Sequence, residues 1–351
     1  MSEILLYGAN GYTGRIIAEM ARARGVELTL AGRNKPAIEQ MSAELNYPHR
    51  IFALNDPSAV EEGLSGMHTV LHCAGPFSRT AEPMAKAAIK TGCHYLDITG
   101  EIAVFEHLKH KLGADAKAAG VMLMPGVGFD VVPSDCLARF LADACPDATE
   151  LTLAFTGGGG VSHGTATTAV ENIDQGGAIR RDGKIVSVPS AHHSRMFDFG
   201  RGPRWAVSIP WGDVSTAWHS TGIENITVYM ATPPAMQKLM VASRYLGWAL
   251  GSGVGQWALK SMLPATGPTP EAREKGWAVV VGEATAQNGE KVAARLTCPE
   301  AYTLTAMTGL HIALICKNGS FKAGYQTPSS AYGPELILQI EGVTRDVIEQ
   351  P

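Results

Sequence analysis

The chain has 351 residues, 45% of them hydrophobic and 18% charged, with a net charge of −4. That length suits two domains with cores of their own, and the mildly acidic balance offers no broad basic surface, which excludes a nucleic-acid role. Six scattered cysteines without a C-x-x-C pair read as reduced thiols, and eleven histidines without ligand spacing give no reason to expect a metal.

Met1-Ser2-Glu3 leads directly into an apolar run, with no export signal, so the expected location is the cytoplasm. Ile4 to Tyr7 reads as a strand, Gly8-Ala9-Asn10-Gly11-Tyr12-Thr13-Gly14 as a glycine-rich turn, and the next residues to Arg24 as a helix. A helix that begins just after such a turn points free N–H groups and a positive dipole end at an anion, so Gly8, Asn10, Gly11, Tyr12, Thr13 and Gly14 are candidates to hold a pyrophosphate. The second strand ends at Gly32-Arg33-Asn34, where a ribose would lie. An Asp or Glu there meets a 2′-hydroxyl and an Arg meets a 2′-phosphate, so Arg33 favours NADP over NAD.

Apolar runs and helical patterns continue to alternate as far as Met124. Strands are expected at 3–7, 27–31, 50–54, 68–73, 94–97 and 121–124, with helices near 12–24, 34–45, 57–65, 80–92 and 101–119. This is the rhythm of a doubly wound, Rossmann-type α/β unit with a parallel sheet. Residues just beyond strand ends should line a cofactor. Asp56 follows the third strand on the adenine side, and Ala74-Gly75-Pro76-Phe77 follows the fourth, where small turn residues let a nicotinamide lie against backbone. After the sixth strand, Gly128-Phe129-Asp130 leads to Pro133 or Ser134, expected to open a helix to about Asp143.

Beyond Glu150 the character changes to an α+β domain with a mostly antiparallel sheet. Strands are expected at 151–155, 184–188 and 226–230, with a final pair around Asn288-Gly289. Gly157 to Thr165 is either a second anion cradle at a helix running to about Asp174 or a flexible loop with a threonine cap. Residues 235–263 form a long apolar helical stretch. Lys238, Arg244, Gln256, Lys260 and clustered glycines argue against an uninterrupted membrane span, so the stretch reads as a packed interface or a lid over an apolar substrate, with a second copy of the chain the expected partner ahead of any peripheral membrane contact. The six tryptophans, Trp205 to Trp277, read as core of this region. The expected domains are 1–130, 131–300, and a tail, 301–351, that returns to the first.

With these motifs placed, the chain resembles the saccharopine-dehydrogenase-like family, in the branch that includes bacterial trans-acting enoyl reductases. The resemblance rests on Gly8 to Gly14, Ala31-Gly32-Arg33, Cys73 to Phe77, Gly92 to Glu101, Gly128 to Asp135, Gly164-Thr165, Glu274 to Trp277 and Gln326-Thr327-Pro328. It implies a Rossmann domain with an inserted α+β domain, NADP(H), and either hydride chemistry at a C–N bond or reduction of a conjugated C=C bond. A strongly apolar second half suits an enoyl- or carbonyl-type substrate better than a polycarboxylate. No Tyr has Lys four residues on, which excludes the short-chain reductase mechanism. Tyr95, Asp130 and His163 are the candidate proton donors. A non-catalytic NADP-binding module and a saccharopine-type amino-acid dehydrogenase are the alternatives.

Overall fold

The structure, a computed structural model, describes residues 3–158, 167, 170, 176–261 and 267–348. It divides the chain into two compact units. The first holds the residues up to Val132 with Tyr302–Gly333, and the second holds Pro133–Ala301 and the residues from Pro334 onward.

The first unit is built on seven parallel strands: β1 (Ile4–Tyr7), β2 (Thr29–Gly32), β3 (His49–Ile51), β4 (Thr69–His72), β5 (His94–Asp97), β6 (Met122–Met124) and β15 (Gly324–Tyr325). Their spatial order is β3-β2-β1-β4-β5-β6-β15, the order of a doubly wound nucleotide-binding sheet extended by one strand. β1, β2, β4 and β5 are buried throughout, which is why they read as continuous apolar runs rather than alternating ones. Crossovers are α1 (Tyr12–Ala23), α2 (Lys35–Leu45), α3 (Pro57–Leu64) and α4 (Phe77–Thr91), then α5 (Ile102–His107) joined to α6 (Gly113–Ala118) by a π-turn at Leu108–Leu112. The helix expected over 101–119 is thus present from Ile102 to Ala118, with one π-helical turn inside it. α12 (Ala301–Lys317) and α13 (Pro328–Tyr332) complete the unit from Tyr302 on.

The second unit carries a nine-stranded, mostly antiparallel sheet. Its main path runs β10 (Ser194–Asp198), β11 (Pro203–Ser208), β12 (Asn225–Ala231), β7 (Ala148–Gly158), β13 (Trp277–Ala286), β14 (Lys291–Pro299) and β16 (Thr344–Ile348); β8 (Gly177–Arg181) and β9 (Lys184–Val188) branch from β12. The β13–β14 hairpin turns at Asn288-Gly289 as expected, with Gly289 at φ 87° and Asn288 Oδ1 accepting from Glu290 N–H at 2.9 Å. Helices here are α7 (Val132–Ala144), α8 (Asp213–Thr221), α9 (Pro234–Leu250), α10 (Gly253–Ser261) and α11 (Pro270–Lys275).

Several expectations need correction. α4 starts at Phe77 rather than residue 80, because a carboxylate from another loop serves its first N–H groups. α7 starts at Val132, whose N–H donates to Gly128 O at 2.9 Å, so Ser134 lies inside the first turn and is no cap. As far as Ser261, the apolar stretch expected over 235–263 is two helices, because Ser252 interrupts it: its hydroxyl accepts from Gly255 N–H at 3.1 Å and its carbonyl from Gln256 N–H at 2.8 Å. The tail does not return whole. β16 pairs antiparallel with β14, and Arg345 from β16 stacks on Phe140 at 3.8 Å, which ties the last residues to the second unit. Finally, Trp205 and Trp257 are surface residues rather than core, 53% and 72% exposed.

Candidate functional site

The turn after β1 is a backbone cradle. Gly8 has φ 80°, and a Cβ there would come within 2.9 Å of both Ala74 N and Ala74 Cβ. A Cβ on Gly14 would overlap Gly8 O and come within 2.9 Å of Ala9 Cα. Both glycines therefore serve close approach of backbone to backbone. Gly11 N–H closes the turn onto Gly8 O at 2.9 Å and stands at the N-cap of α1, where the N-cap residue, a glycine, has no side chain to cap the helix. The positive end of α1 is thus left to a ligand, and the cradle fits a pyrophosphate. Tyr12 and Thr13 begin the helix; the Tyr12 ring meets Tyr302 edge-on, with centroids 5.0 Å apart.

At the end of β2, Gly32 is buried beneath Ile38 and the Asn10 side-chain oxygen, both near 3.2 Å from where its Cβ would stand. Arg33 is exposed and makes no ion pair among the described residues, whereas Arg15 is held by Glu19 and Glu44. Asn34 and Asp56 have local duties. Asn34 caps α2 by accepting from Ala37 N–H, and Asp56 caps α3 by accepting from Ser58 and Ala59 N–H at 3.0 and 3.3 Å. We expect Arg33→Ala to weaken NADPH binding about 10- to 100-fold, the loss of a charge-assisted phosphate contact worth about 1.5–3 kcal/mol. NADH affinity, measured in the same titration, should scarcely move; equal losses would remove Arg33 from the 2′-phosphate.

Ala74-Gly75-Pro76-Phe77 is held from two sides. Thr80 Oγ1 donates toward Ala74 O at 2.7 Å and Pro76 O at 3.1 Å. Glu101, beyond β5, accepts from Phe77 N–H at 2.9 Å and Ser78 N–H at 3.1 Å, one oxygen each. A carboxylate on the first turn of α4 satisfies orphan N–H groups and opposes the helix dipole. The N-terminus of α4 is therefore taken, while that of α1 is open to an anion. Glu101→Ala should lower stability by about 1–2 kcal/mol in chemical denaturation, and an unchanged midpoint would show that the cap contributes nothing.

The His94 to Glu101 signature turns out to be a lock. Tyr95, fully buried, donates to Asp97 Oδ2 at 2.5 Å, while Asp97 Oδ1 accepts from Thr99 N–H at 2.9 Å and Gly126 N–H at 3.0 Å. Thr99 Oγ1 accepts from Glu101 N–H at 3.1 Å. The signature fastens β5 to the turn after β6 and to the loop before α4. Burial, with Asp97 beside it, pushes the Tyr95 phenol well above its ordinary value. The geometry gives Tyr95 a positioning role rather than that of a proton donor.

Asp130 is differently placed. It follows β6 at the same end of the sheet as the glycine turn, half-buried, with one oxygen 2.7 Å from where a Cβ on Gly100 would stand, and it accepts no hydrogen bond among the described residues. Burial raises its carboxyl to about 7. α12 braces this turn. Phe129 N–H donates to Thr305 Oγ1 at 3.0 Å, and Thr308 Oγ1 donates to Val127 O at 2.8 Å. Nothing in the sequence ties Thr305 or Thr308 to residues some 180 positions earlier. His163 lies outside the described residues.

One histidine–cysteine cluster exists among the described residues: His68, His94 and Cys316 have ligand atoms within 4.8 Å of one another. Proton placement argues against a metal there. His94 Nδ1 accepts from Met122 N–H at 3.0 Å, so the neutral ring carries its proton on Nε2 and has no second lone pair to offer. All six cysteines are free thiols.

Residues 4–124 match the family described as saccharopine dehydrogenase NADP binding domain. A trans-acting enoyl reductase of Mycobacterium leprae (strain TN) is 33% identical over 143 residues, 38% of this chain and 34% of that protein. The match thus spans about a third of the length of that relative. A trans-acting enoyl reductase of Mycobacterium ulcerans (strain Agy99) is 24% identical over 400 residues, covering 96% of this chain and 95% of that protein. The apo saccharopine dehydrogenase (L-Glu forming) of Saccharomyces cerevisiae superposes over 99% of this chain and 100% of its own, with TM-score 0.70 and 12% identity, which shows a shared fold.

Proposed function

Given that residues 4–124 belong to the saccharopine dehydrogenase NADP binding domain family, we propose that the chain is an NADP(H)-dependent oxidoreductase acting on an apolar enoyl- or carbonyl-type substrate. The observation that carries this reading is the combination, in one unit, of an uncapped α1 behind the glycine cradle with Asp130, a half-buried carboxyl without a hydrogen-bond partner among the described residues.

Bound NADPH supplies hydride; the chain's own task is to orient the cofactor and deliver a proton. The Gly8–Gly14 turn holds the pyrophosphate, Arg33 selects the 2′-phosphate, and the Ala74–Phe77 turn, fixed by Thr80 and Glu101, supports the nicotinamide side. When a conjugated bond accepts hydride at one carbon, its neighbour must gain a proton, and Asp130 donates it and is reprotonated from solvent. A carboxyl raised to about 7 is poised for that transfer near neutral pH.

Six engaged arginines of the second unit favour an uncharged substrate over a polycarboxylate amino acid, while Arg201 and Arg204, over the Trp277 ring, remain exposed. Arg139, Arg195, Arg295 and Arg345 are paired with Asp143, Glu283, Asp346 and Glu335, and Arg180 and Arg244 are spent on backbone carbonyls. The M. ulcerans relative, similar over nearly its full length, is an enoyl reductase by name, which supports the same choice. The test is NADPH consumption against a panel of enoyl thioesters, ketones and imines formed from amino acids. Turnover of enoyl or carbonyl compounds is expected. Turnover confined to imines would assign saccharopine-type chemistry, and binding without turnover would leave a cofactor-binding module.

A further inference from the structure

Apart from Val347 on β16, at the other edge of the sheet, the exposed large hydrophobic residues described in the second unit fall within 196–205 and 236–257. Met196 and Trp205 face each other across β10 and β11, and both are exposed. Gln237 Nε2 donates to Trp205 O at 3.1 Å, which seats the first turn of α9 beside that pair. Arg244 reaches from the same helix to the carbonyls of Ser190 and Ala191, just ahead of β10. Along and beyond α9, Met236, Val241, Tyr245 and, on α10, Trp257 are also exposed, the last two at 77% and 72%. Exposed aromatic and aliphatic groups on neighbouring elements mark a surface that meets something.

Charge decides what that is. From Asn225 to Pro270 there is no Asp or Glu, while Lys238, Arg244 and Lys260 fall within the stretch, in a chain whose net charge is −4. Lys238 is exposed and makes no ion pair among the described residues. A second copy of the chain is the weaker occupant. A twofold contact sets a patch against itself, so these cations would face their own copies with no carboxylate from the stretch between them. Interface cores are also poor in lysine. Tryptophan and tyrosine among lysines and arginines, where no helix of the described residues is long and apolar enough to cross a bilayer, are the composition of an element that lies in a membrane interface.

We infer that α9, α10 and the β10–β11 edge dock this protein on an anionic lipid surface, with Trp205, Tyr245 and Trp257 entering the headgroup region and Lys238 meeting lipid phosphates and carboxylates. The surface serves attachment and rests on nothing assumed about the reaction.

Flotation of the full chain with phosphatidylcholine vesicles, with and without phosphatidylserine, tests it. Partition onto the phosphatidylserine vesicles should exceed that onto phosphatidylcholine alone by about tenfold or more and should fall as salt is raised. Lys238→Glu should cost about fivefold or more of the partition, and Tyr245→Ser with Trp257→Ser about tenfold, with NADPH affinity unchanged in each variant as evidence of folding. No partition onto either vesicle, or partition indifferent to these substitutions, would overturn the inference. So would a concentration-dependent dimer, formed without lipid and broken by Tyr245→Ser with Trp257→Ser, because it would assign the surface to a second copy.

Discussion

Replacing Asp130 with Asn is expected to lower kcat for NADPH-dependent reduction by about 10²- to 10⁴-fold, the usual loss when a positioned proton donor is removed, and to leave the NADPH dissociation constant unchanged. The carboxamide fills nearly the same volume against Gly100, and Asp130 makes no hydrogen bond among the described residues that the change would break. The pH profile gives a second reading of the same residue. With Asp130 as the proposed donor, reduction needs the protonated acid, so the rate should be level below about 7 and fall about tenfold per pH unit above it, and the Asn variant should lose that limb. Oxidation in the reverse direction should show the mirror dependence, rising through the same region. An Asp130→Asn enzyme with the parent's kcat would take the proton-donor role away from Asp130.

The second large effect concerns stability in acid. His72, at the end of β4, is wholly buried among Tyr7, Phe77 and Tyr95, and neither ring nitrogen has a hydrogen-bond partner among the described residues. Burial holds its pKa down to about 3, from 6.5 in an exposed chain. The folded protein therefore keeps the ring neutral while the unfolded chain takes up a proton below 6.5. The associated stability is complete above that pH and is lost progressively as pH falls toward 3. At pH 4 the loss attributable to this one residue is about 3 kcal/mol. His72→Phe keeps the ring contacts and removes the titration. Between pH 7 and pH 4 its unfolding free energy should fall by about 3 kcal/mol less than that of the parent. Parallel losses in both proteins would show that His72 is already charged or solvated in the native state. His94, whose pKa is lowered to about 4, is common to both proteins and cancels from the comparison.

Most of the first unit could be read from the chain, because its signals are local. Buried parallel strands give continuous apolar runs, and a glycine turn before a helix states its own geometry, so β1 to β6 and the Gly8–Gly14 cradle were legible. Arg33 was legible as an arginine at the ribose position. Distant partners were harder to see. The Glu101 carboxylate serves N–H groups 23 and 24 residues earlier, and nothing around Phe77 announces that its helix begins there. Tyr95 looked like a proton donor because it sits in a dense polar motif, yet that motif spends its donors inside the fold. Asn34 and Asp56, expected beside the cofactor, also serve as helix caps, a common use of such residues ahead of a helix. β16 alternates weakly and pairs with a strand some fifty residues back, so only the completed sheet could assign it. The tryptophans misled for another reason: clustering in sequence does not say which of them face outward.

The division of the chain has a consequence for how the protein is made. The turn that carries Asp130 is braced by Thr305 and Thr308, and the first unit is completed only by Tyr302–Gly333. During synthesis the nucleotide-binding half begins first, waits while Pro133–Ala301 emerges, and receives its last helices only when some three hundred residues have left the ribosome. The second unit then waits in turn for β16. A gene fragment ending near Val132 would therefore encode the cradle without its brace, and the two units must be expressed together for either to be whole.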